Sequence, residues 1–135
     1  MKSTTGRRGY SDDMLKMVFC VRKKQGISAE EFYDYWLNSH GPLVASHAAS
    51  MNIKHYVQSH TIDGEFGRMI SAARDMKVPG FDGIAEIWWD SRQDLDLVLQ
   101  TEEGQSSSAI LAEDEARFID MENSTIFFTN EHNVF

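Results

Sequence analysis

The chain has a single cysteine and few clustered cations among its 135 residues. The lone thiol, Cys20, excludes a disulfide within the chain and fits a reducing cytoplasm. Because it stands inside an apolar stretch, we interpret Cys20 as a small buried hydrophobe rather than a nucleophile. Thirteen basic residues oppose 21 acidic ones, for a formal charge of −8 at pH 7. Nucleic acids and anionic membranes are therefore poor partners for this surface.

Long apolar runs are also missing. The longest clean one, Met17 to Val21, is far shorter than the run of about 20 residues that crosses a bilayer. Residues 1–13 are polar, with no apolar region behind their basic residues, which predicts a flexible N-terminal tail on an unexported, cytoplasmic protein. Metal-ligand spacings and phosphate-binding glycine loops are missing too, so the sequence indicates no metal site and no nicotinamide, flavin or nucleotide cofactor.

The order of the strand-like and helix-like segments predicts one α+β domain over residues 14–135. Strands are predicted at Met14 to Val21, Ile53 to Ile62, Phe81 to Trp89 and Thr125 to Glu131. The first helix is predicted from the capping box of Ser28 and Glu31 to His40, followed by helices over Pro42 to Ser50 and near Met69 to Lys77. The last helix is predicted from Asp90 or Ser91 through Asp120, with an interruption at Gly104 and the serines at 106 to 108. This β-α-β-β-α-β order is ferredoxin-like, with a four-stranded antiparallel sheet and helices on one face.

The sheet is predicted to have one face that the helices do not cover. Three of its four strands are apolar on both alternating sets of side chains, as strands buried on both faces are. A second copy packed sheet against sheet covers the bare face most simply, so we predict a homodimeric α/β barrel. Arg22 and Glu86, if they point at that face, are expected to form an ion pair.

The stretch FYDYWLNSHGPLVASH, from Phe32 to His47, delivers a histidine to the end of an aromatic helical face. Phe32, Trp36 and His40 share that face. Pro42 is expected to break the helix at His40 or Gly41 and to restart it, leaving His40 at a helix end beside unpaired carbonyls. His40 is then either a helix-end residue bonded to carbonyls or a proton-transfer group whose pKa is tuned there.

Two further sets of polar residues are candidates for a site. Ile110, Asp114 and Phe118 follow an i, i+4, i+8 line, which places the Asp114 carboxylate among apolar neighbours. It either binds a backbone amide or an arginine as a structural tie, or orients a pocket histidine. Tyr56 and His60 share one strand face with a glutamine, as a pocket wall or a solvated edge strand.

The ordered segments MLKMVFCVRKKQGISAEEFYDYWLNSHGPLV, YVQSH, FDGIAEIWWDS, DEARFID and NEH resemble the EthD domain family of the dimeric α/β-barrel superfamily. The resemblance implies a ferredoxin-like dimer with a small-molecule pocket between sheet and helices. The family takes its name from an operon for ether degradation by a cytochrome monooxygenase and is classed with oxidoreductases. Similar fungal domains dehydrate polyketide intermediates, and related barrels cyclise polyketides or oxidise phenols without a cofactor. His40 matches the family's HGP histidine, and Asp114, Phe118 and Asp120 match its DE-x-x-F-x-D segment.

These observations lead to one leading hypothesis: a cofactor-independent enzyme that moves protons on a hydrophobic carbonyl- or phenol-bearing molecule, by dehydration, cyclisation or enolisation. His40 serves as acid and base, and Tyr56 and His60 donate hydrogen bonds to a developing oxyanion. Asp114 is a further catalytic candidate, as the carboxylate that orients a pocket histidine. The side chains predicted to line the substrate pocket are Met17, Phe19, Trp36, Trp89 and Phe118. The alternatives are a cofactor-free oxidoreductase or monooxygenase, and a non-catalytic ligand-binding accessory protein.

Overall fold

A computed structural model of the protein describes residues 14–62 and 64–135; the predicted N-terminal tail lies outside them. Four strands form one antiparallel sheet in the order β2-β3-β1-β4. The strands are β1 (Leu15–Val21), β2 (His55–His60), β3 (Gly83–Trp89) and β4 (Thr125–Thr129). The α-helices are α1 (Ala29–Tyr35), α2 (Gly41–His47), α3 (Glu65–Ala73), α4 (Arg92–Gln100) and α5 (Glu102–Glu115), with a π-helical segment at Trp36–His40 and a 3₁₀ turn at Met121–Asn123. The predicted ferredoxin-like α+β fold is confirmed.

The helix boundaries show where local rules were right and where they were wrong. Ser28 caps α1 through the predicted capping box, and Ser91 caps α4 by accepting a hydrogen bond from Asp94. The second helical layer breaks at Thr101, whose extended backbone ends α4 and whose hydroxyl caps α5, rather than at Gly104. That layer ends at Glu115 instead of Asp120. Helix α3 begins four residues earlier than the helix predicted near Met69 to Lys77, and Gly67 is accommodated inside it.

The predicted helix break at the His-Gly-Pro joint is wrong. Trp36–His40 forms one π-helical turn, in which the Gly41 amide donates to the Trp36 carbonyl, and Gly41 has helical angles. Pro42 then occupies the first turn of α2, where no intrahelical donor is needed. A π turn widens the helix by one residue, so it accommodates the proline ring without ending the helix. His40 therefore sits inside a continuous helical stretch and not beside a frayed end.

The core lies between the helices and one face of the sheet. Phe32, Trp36 and Phe118 are each about 1% exposed or less and form adjacent ring pairs. They pack over Phe19 and Val21 of the central strand β1. Since neighbouring positions in a strand point to opposite faces, this packing fixes which side chains of every strand face the helices.

Gly83 makes room for the Trp36 ring. A Cβ atom built at Gly83 lies 2.6 Å from both the Ser59 carbonyl oxygen and the Trp36 ring. We expect Gly83→Ala to lower the free energy of unfolding by roughly 1–3 kcal/mol, because a rigid ring and a backbone must shift. Urea denaturation measures this. The control is Gly67→Ala, which meets no atom within 4 Å and should stabilise α3 by about 0.5–1 kcal/mol. Equal stability of Gly83→Ala and wild type would contradict this packing.

No helix of the described residues covers the other sheet face. It carries half-buried apolar side chains such as Val18 and Ile84 around an ion pair, in which the Lys16 ammonium lies 2.9 Å from the Glu86 carboxylate. The expected pair of Arg22 with Glu86 is not formed, because Arg22 instead donates to the carbonyls of Pro79 and Gly80. Of the helices in residues 14–62 and 64–135, none has the length and apolar character to cross a bilayer.

A histidine between two carboxyl groups

The candidate functional site is built around His40 in the π-helical turn. Its Nδ1 lies 2.7 Å from Oδ2 of Asp114, near the end of α5. The two residues are 74 positions apart in sequence, so the contact joins the two helical layers. His40 is 4% exposed and packs against the Phe118 ring, 5.1 Å between centroids. Asp114 thus contacts a histidine, as one of its two interpretations requires.

The Asp114 carboxylate is held in its ionised form. Burial acts to raise its pKa, but hydrogen bonds from the Tyr35 hydroxyl (2.6 Å) and His40 outweigh burial and hold the pKa below its ordinary value. The exposed Arg117 side chain adds a contact of 3.4 Å to the same oxygen as Tyr35. The structural tie that the sequence offered as an alternative is thus also present, and both carboxylate oxygens of Asp114 are engaged.

The histidine next to this carboxylate is held neutral. Burial lowers the pKa of His40 and outweighs the opposing pull of Asp114. An ionised carboxylate can only accept, so the Nδ1–H of the neutral ring donates to Asp114. The second ring nitrogen, Nε2, is left with its lone pair free. This is the protonation state in which an imidazole acts as a base.

Glu115, the residue after Asp114, lies on the Nε2 side of the ring. One of its carboxylate oxygens is 4.0 Å from His40 Nε2. Burial and the nearby charge of Asp114 raise the pKa of Glu115 to about 7. The side chain is still 20% exposed, against 5% for the His40 ring. The Glu115 side chain is therefore largely covered by protein but still in contact with solvent.

Tyr56 and His60 lie on the helix-facing side of β2, joined through Gln58. The Gln58 amide donates to the Trp36 carbonyl and to the Tyr56 hydroxyl oxygen, 2.8 Å each, while its carbonyl accepts from His60 Nε2 at 2.8 Å. Among the described residues none accepts the Tyr56 hydroxyl hydrogen, and burial raises the pKa of Tyr56 against the opposing hydrogen bonds of Gln58 and Trp36. His60 is stacked on Trp36 and its pKa is lowered by burial. The strip is thus hydrogen-bonded rather than solvated.

The predicted apolar lining falls into two groups. Phe19, Trp36 and Phe118 are packed into the core, and Trp89 is 2% exposed with its indole N–H donating to the Met51 carbonyl. These four side chains are packed in the interior and are not exposed as the wall of an open pocket would be. Met17 is half-buried and packs against the same core.

The i, i+4, i+8 line through Ile110 does not describe the buried face of α5. Ile110 is 40% exposed, and Phe118 lies beyond the end of the helix. The buried positions are Gly104, Ser107, Leu111 and Asp114. Glu115 comes four residues after Leu111, which puts it on the edge of this buried stripe. That spacing was the available signal for Glu115, which the sequence analysis missed.

The titratable side chains do not form a metal centre. Within the part of the chain that the structure describes, no group of three or more His, Cys, Asp or Glu side chains is arranged to hold a metal ion. His47, the second histidine of the HGP segment, lies apart from the site and is hydrogen-bonded to Ser107 at 2.8 Å.

Solved structures of the same fold include enzymes. An EthD family protein of Bacillus halodurans C-125 is 16% identical, with a TM-score of 0.59, covering 88% of this chain and 99% of that chain. The hydroxynitrile lyase of Passiflora edulis is 11% identical, with a TM-score of 0.59 and coverages of 91% and 97%. SnoaB, a cofactor-independent oxygenase of Streptomyces nogalater, is 9% identical, with a TM-score of 0.55 and coverages of 91% and 97%. At such identities the likeness shows the fold alone.

Two further comparisons concern the fold and the family. A ferredoxin-like protein of Bacteroides fragilis, 10% identical with a TM-score of 0.55 and coverages of 87% and 96%, is described as dimeric. No curated protein matches the sequence. The profile of the EthD domain matches residues 24–122, well over half of the chain. The chain belongs to the EthD domain family.

Proposed function

We propose that this protein is a cofactor-independent enzyme that transfers protons on a hydrophobic carbonyl- or phenol-bearing small molecule. The observation that carries the proposal is the 2.7 Å contact of His40 with Asp114, which leaves a neutral ring with a free Nε2 in a buried site. An oriented neutral imidazole beside an ionised carboxylate is a competent general base, since the carboxylate stabilises the imidazolium that forms.

The surroundings of the ring suit an enolate-type intermediate. The Tyr56 hydroxyl, with its oxygen already accepting from Gln58, has its hydrogen available for a developing oxyanion. In this geometry His60 acts through Gln58 to hold Tyr56, because its Nε2–H is used on the Gln58 carbonyl. The Phe118 ring that packs against His40 favours a hydrophobic substrate. Dehydration, cyclisation and enolisation all begin with the proton abstraction that such a site performs.

The comparisons support small-molecule chemistry on this fold without choosing the reaction. One neighbour is named a lyase and another a cofactor-independent oxygenase. The His40 and Asp114 geometry favours proton transfer over oxygenation, because it supplies a base without calling for oxygen. Oxygenation of a phenolate formed by the same base is the second candidate. We place the enzyme in the cytoplasm, where a lone thiol such as Cys20 stays reduced.

Turnover of purified protein without added cofactor tests the proposal. A panel of aromatic ketones, β-hydroxy ketones and phenols is incubated in D₂O under nitrogen, and exchange or water loss is followed by ¹H NMR. We expect exchange next to the carbonyl above the buffer rate. Consumption only in the presence of oxygen would favour oxygenation. Binding of panel members without any conversion would instead favour an accessory, ligand-carrying role.

A further inference from the structure

We propose that Glu115 is the catalytic residue that meets the substrate, carrying a proton between the substrate and His40. This inference rests on the proposed function and names the group through which it acts. It concerns carbonyl compounds with an acidic hydrogen on the adjacent carbon. Four observations of the described residues support it.

The first observation is the order of exposure from the interior outward. The side chains of His40, Asp114 and Glu115 are 5%, 12% and 20% exposed. Asp114 is already occupied by Tyr35 and His40. Of the three groups, Glu115 is therefore the one that an incoming molecule reaches first.

The second observation is that Glu115 has an unused carboxyl group. Among the residues that the structure describes, none donates a hydrogen bond to it, and its nearest charged neighbour is His40 Nε2 at 4.0 Å. A crowded carboxyl group without a donor is costly in its ionised form. A substrate that brings an acidic hydrogen supplies what this group lacks.

The third observation is the set of titratable groups that face Glu115. Asp114 lies beside it on α5, His40 faces it from the π-helical turn, and Tyr56 faces it from β2. The Arg117 side chain instead contacts Asp114, at 3.4 Å. No cation compensates Glu115 when His40 is neutral, which agrees with its pKa of about 7. Near neutral pH Glu115 can therefore gain or lose a proton, while His40 is neutral and can accept one.

The fourth observation is that the charge of Glu115 acts on Tyr56 while its carboxylate lies 4.0 Å from His40 Nε2, so we infer a proton transfer through all three groups. The bond between hydrogen and the carbon next to the carbonyl breaks, and the proton goes to the outer oxygen of Glu115. The electron pair stays on the substrate as an enolate, whose oxygen accepts from the Tyr56 hydroxyl. Glu115 passes the proton on to His40 Nε2, and Asp114 stabilises the imidazolium. Return of the proton by the same route regenerates all groups without a co-reactant.

The experiment compares Glu115→Gln with Glu113→Gln. Both changes remove one carboxylate of α5, but Glu113 is exposed. The probe is 2-tetralone, whose hydrogen exchange in D₂O is followed by ¹H NMR at pH 7. We expect Glu115→Gln to lower the protein-dependent exchange rate by about 10²- to 10⁴-fold, the usual range for a lost acid or base, while Glu113→Gln leaves it unchanged.

Two measurements need no substrate. Carboxyl ¹³C NMR should show one signal with a midpoint near 7, absent in Glu115→Gln and kept in Glu113→Gln. The pH dependence of the thermal midpoint should show the same raised pKa of Glu115. A carboxyl group whose pKa is raised by folding contributes stability below its unfolded pKa near 4.5 and loses it as pH rises through about 7. Glu115→Gln should therefore raise the thermal midpoint at pH 8 and leave it nearly unchanged at pH 4.5.

The outcomes separate this inference from the proposed function. Exchange by the wild type that persists in Glu115→Gln would overturn the role of Glu115 and leave the proposed function standing. A carboxyl midpoint near 4.5 for Glu115 would overturn it as well. A wild type that accelerates exchange of no ketone in the panel would overturn the proposed function, and the role of Glu115 with it.

Discussion

Replacing His40 by glutamine is expected to lower turnover by about 10²- to 10⁴-fold with the fold retained. Glutamine can still donate a hydrogen bond to the Asp114 carboxylate, which now lies 2.7 Å from the ring, but it cannot accept a proton at neutral pH. Alanine is the poorer choice, because it would leave a carboxylate that is 9% exposed without its histidine. Steady-state turnover on the best panel substrate and the urea midpoint are measured on the same preparation.

The matched control for His40→Gln is His47→Gln. His47 lies seven residues later in the same helical stretch and also links the two helical layers, through its 2.8 Å contact with Ser107. We expect the two variants to lose similar stability, about 1 kcal/mol, while only the first loses activity. Full turnover in a destabilised His40→Gln protein would make His40 a structural link and remove it from the proposed mechanism.

The fold could be predicted because its signals are local. The capping box at Ser28, the cap at Ser91 and the doubly apolar strands β1 and β3 depend on residues that are near one another in sequence. Antiparallel pairing of four such strands with helices between them leaves few topologies.

The local geometry at Pro42 could not be predicted by the same rules. Proline ends most helices, because it lacks a donor and its ring meets the carbonyl four residues earlier. Here the chain widens into a π turn instead, and Gly41 stays helical. The packing of Trp36 and His40 on either side of that turn favours the continuous helix, and such packing is not visible in the local sequence.

The site was predicted residue by residue but not as a constellation. His40 and Asp114 were each identified as candidates from a helical face, and their contact across 74 positions depends on how the layers pack. The pattern of Ile110, Asp114 and Phe118 predicts a helix through Asp120 and does not include Glu115. The helix ends at Glu115, and its buried stripe runs through Leu111 and Asp114 instead of Ile110.

The second prediction with a large effect concerns assembly: the chain is expected to sediment at twice its mass of 15.4 kDa. The face of β1 and β3 opposite the helices carries Val18, Ile84 and Trp88 half-buried in the single chain. Phe127 of β4, which pairs with Val18, is 47% exposed there. Burying apolar area of this kind stabilises an interface by about 25 cal/mol per Å². A second copy of the same face can pack on it, sheet against sheet, about a two-fold axis.

A charge on that face should split the dimer. In Phe127→Asp an unpaired carboxylate must be buried, and the two-fold symmetry of the interface makes each substitution count twice. We expect a dissociation constant higher by at least about 10³-fold, since burying an unpaired charge costs several kcal/mol per copy.

Leu97→Asp is the control: Leu97 is 46% exposed, nearly the same as Phe127, but lies on α4 on the helix side. Sedimentation velocity at micromolar concentration should show a monomer for Phe127→Asp and a dimer for Leu97→Asp. A wild type that sediments as a 15.4 kDa monomer, or a Phe127→Asp protein that stays dimeric while Leu97→Asp dissociates, would show that this sheet face is not the interface.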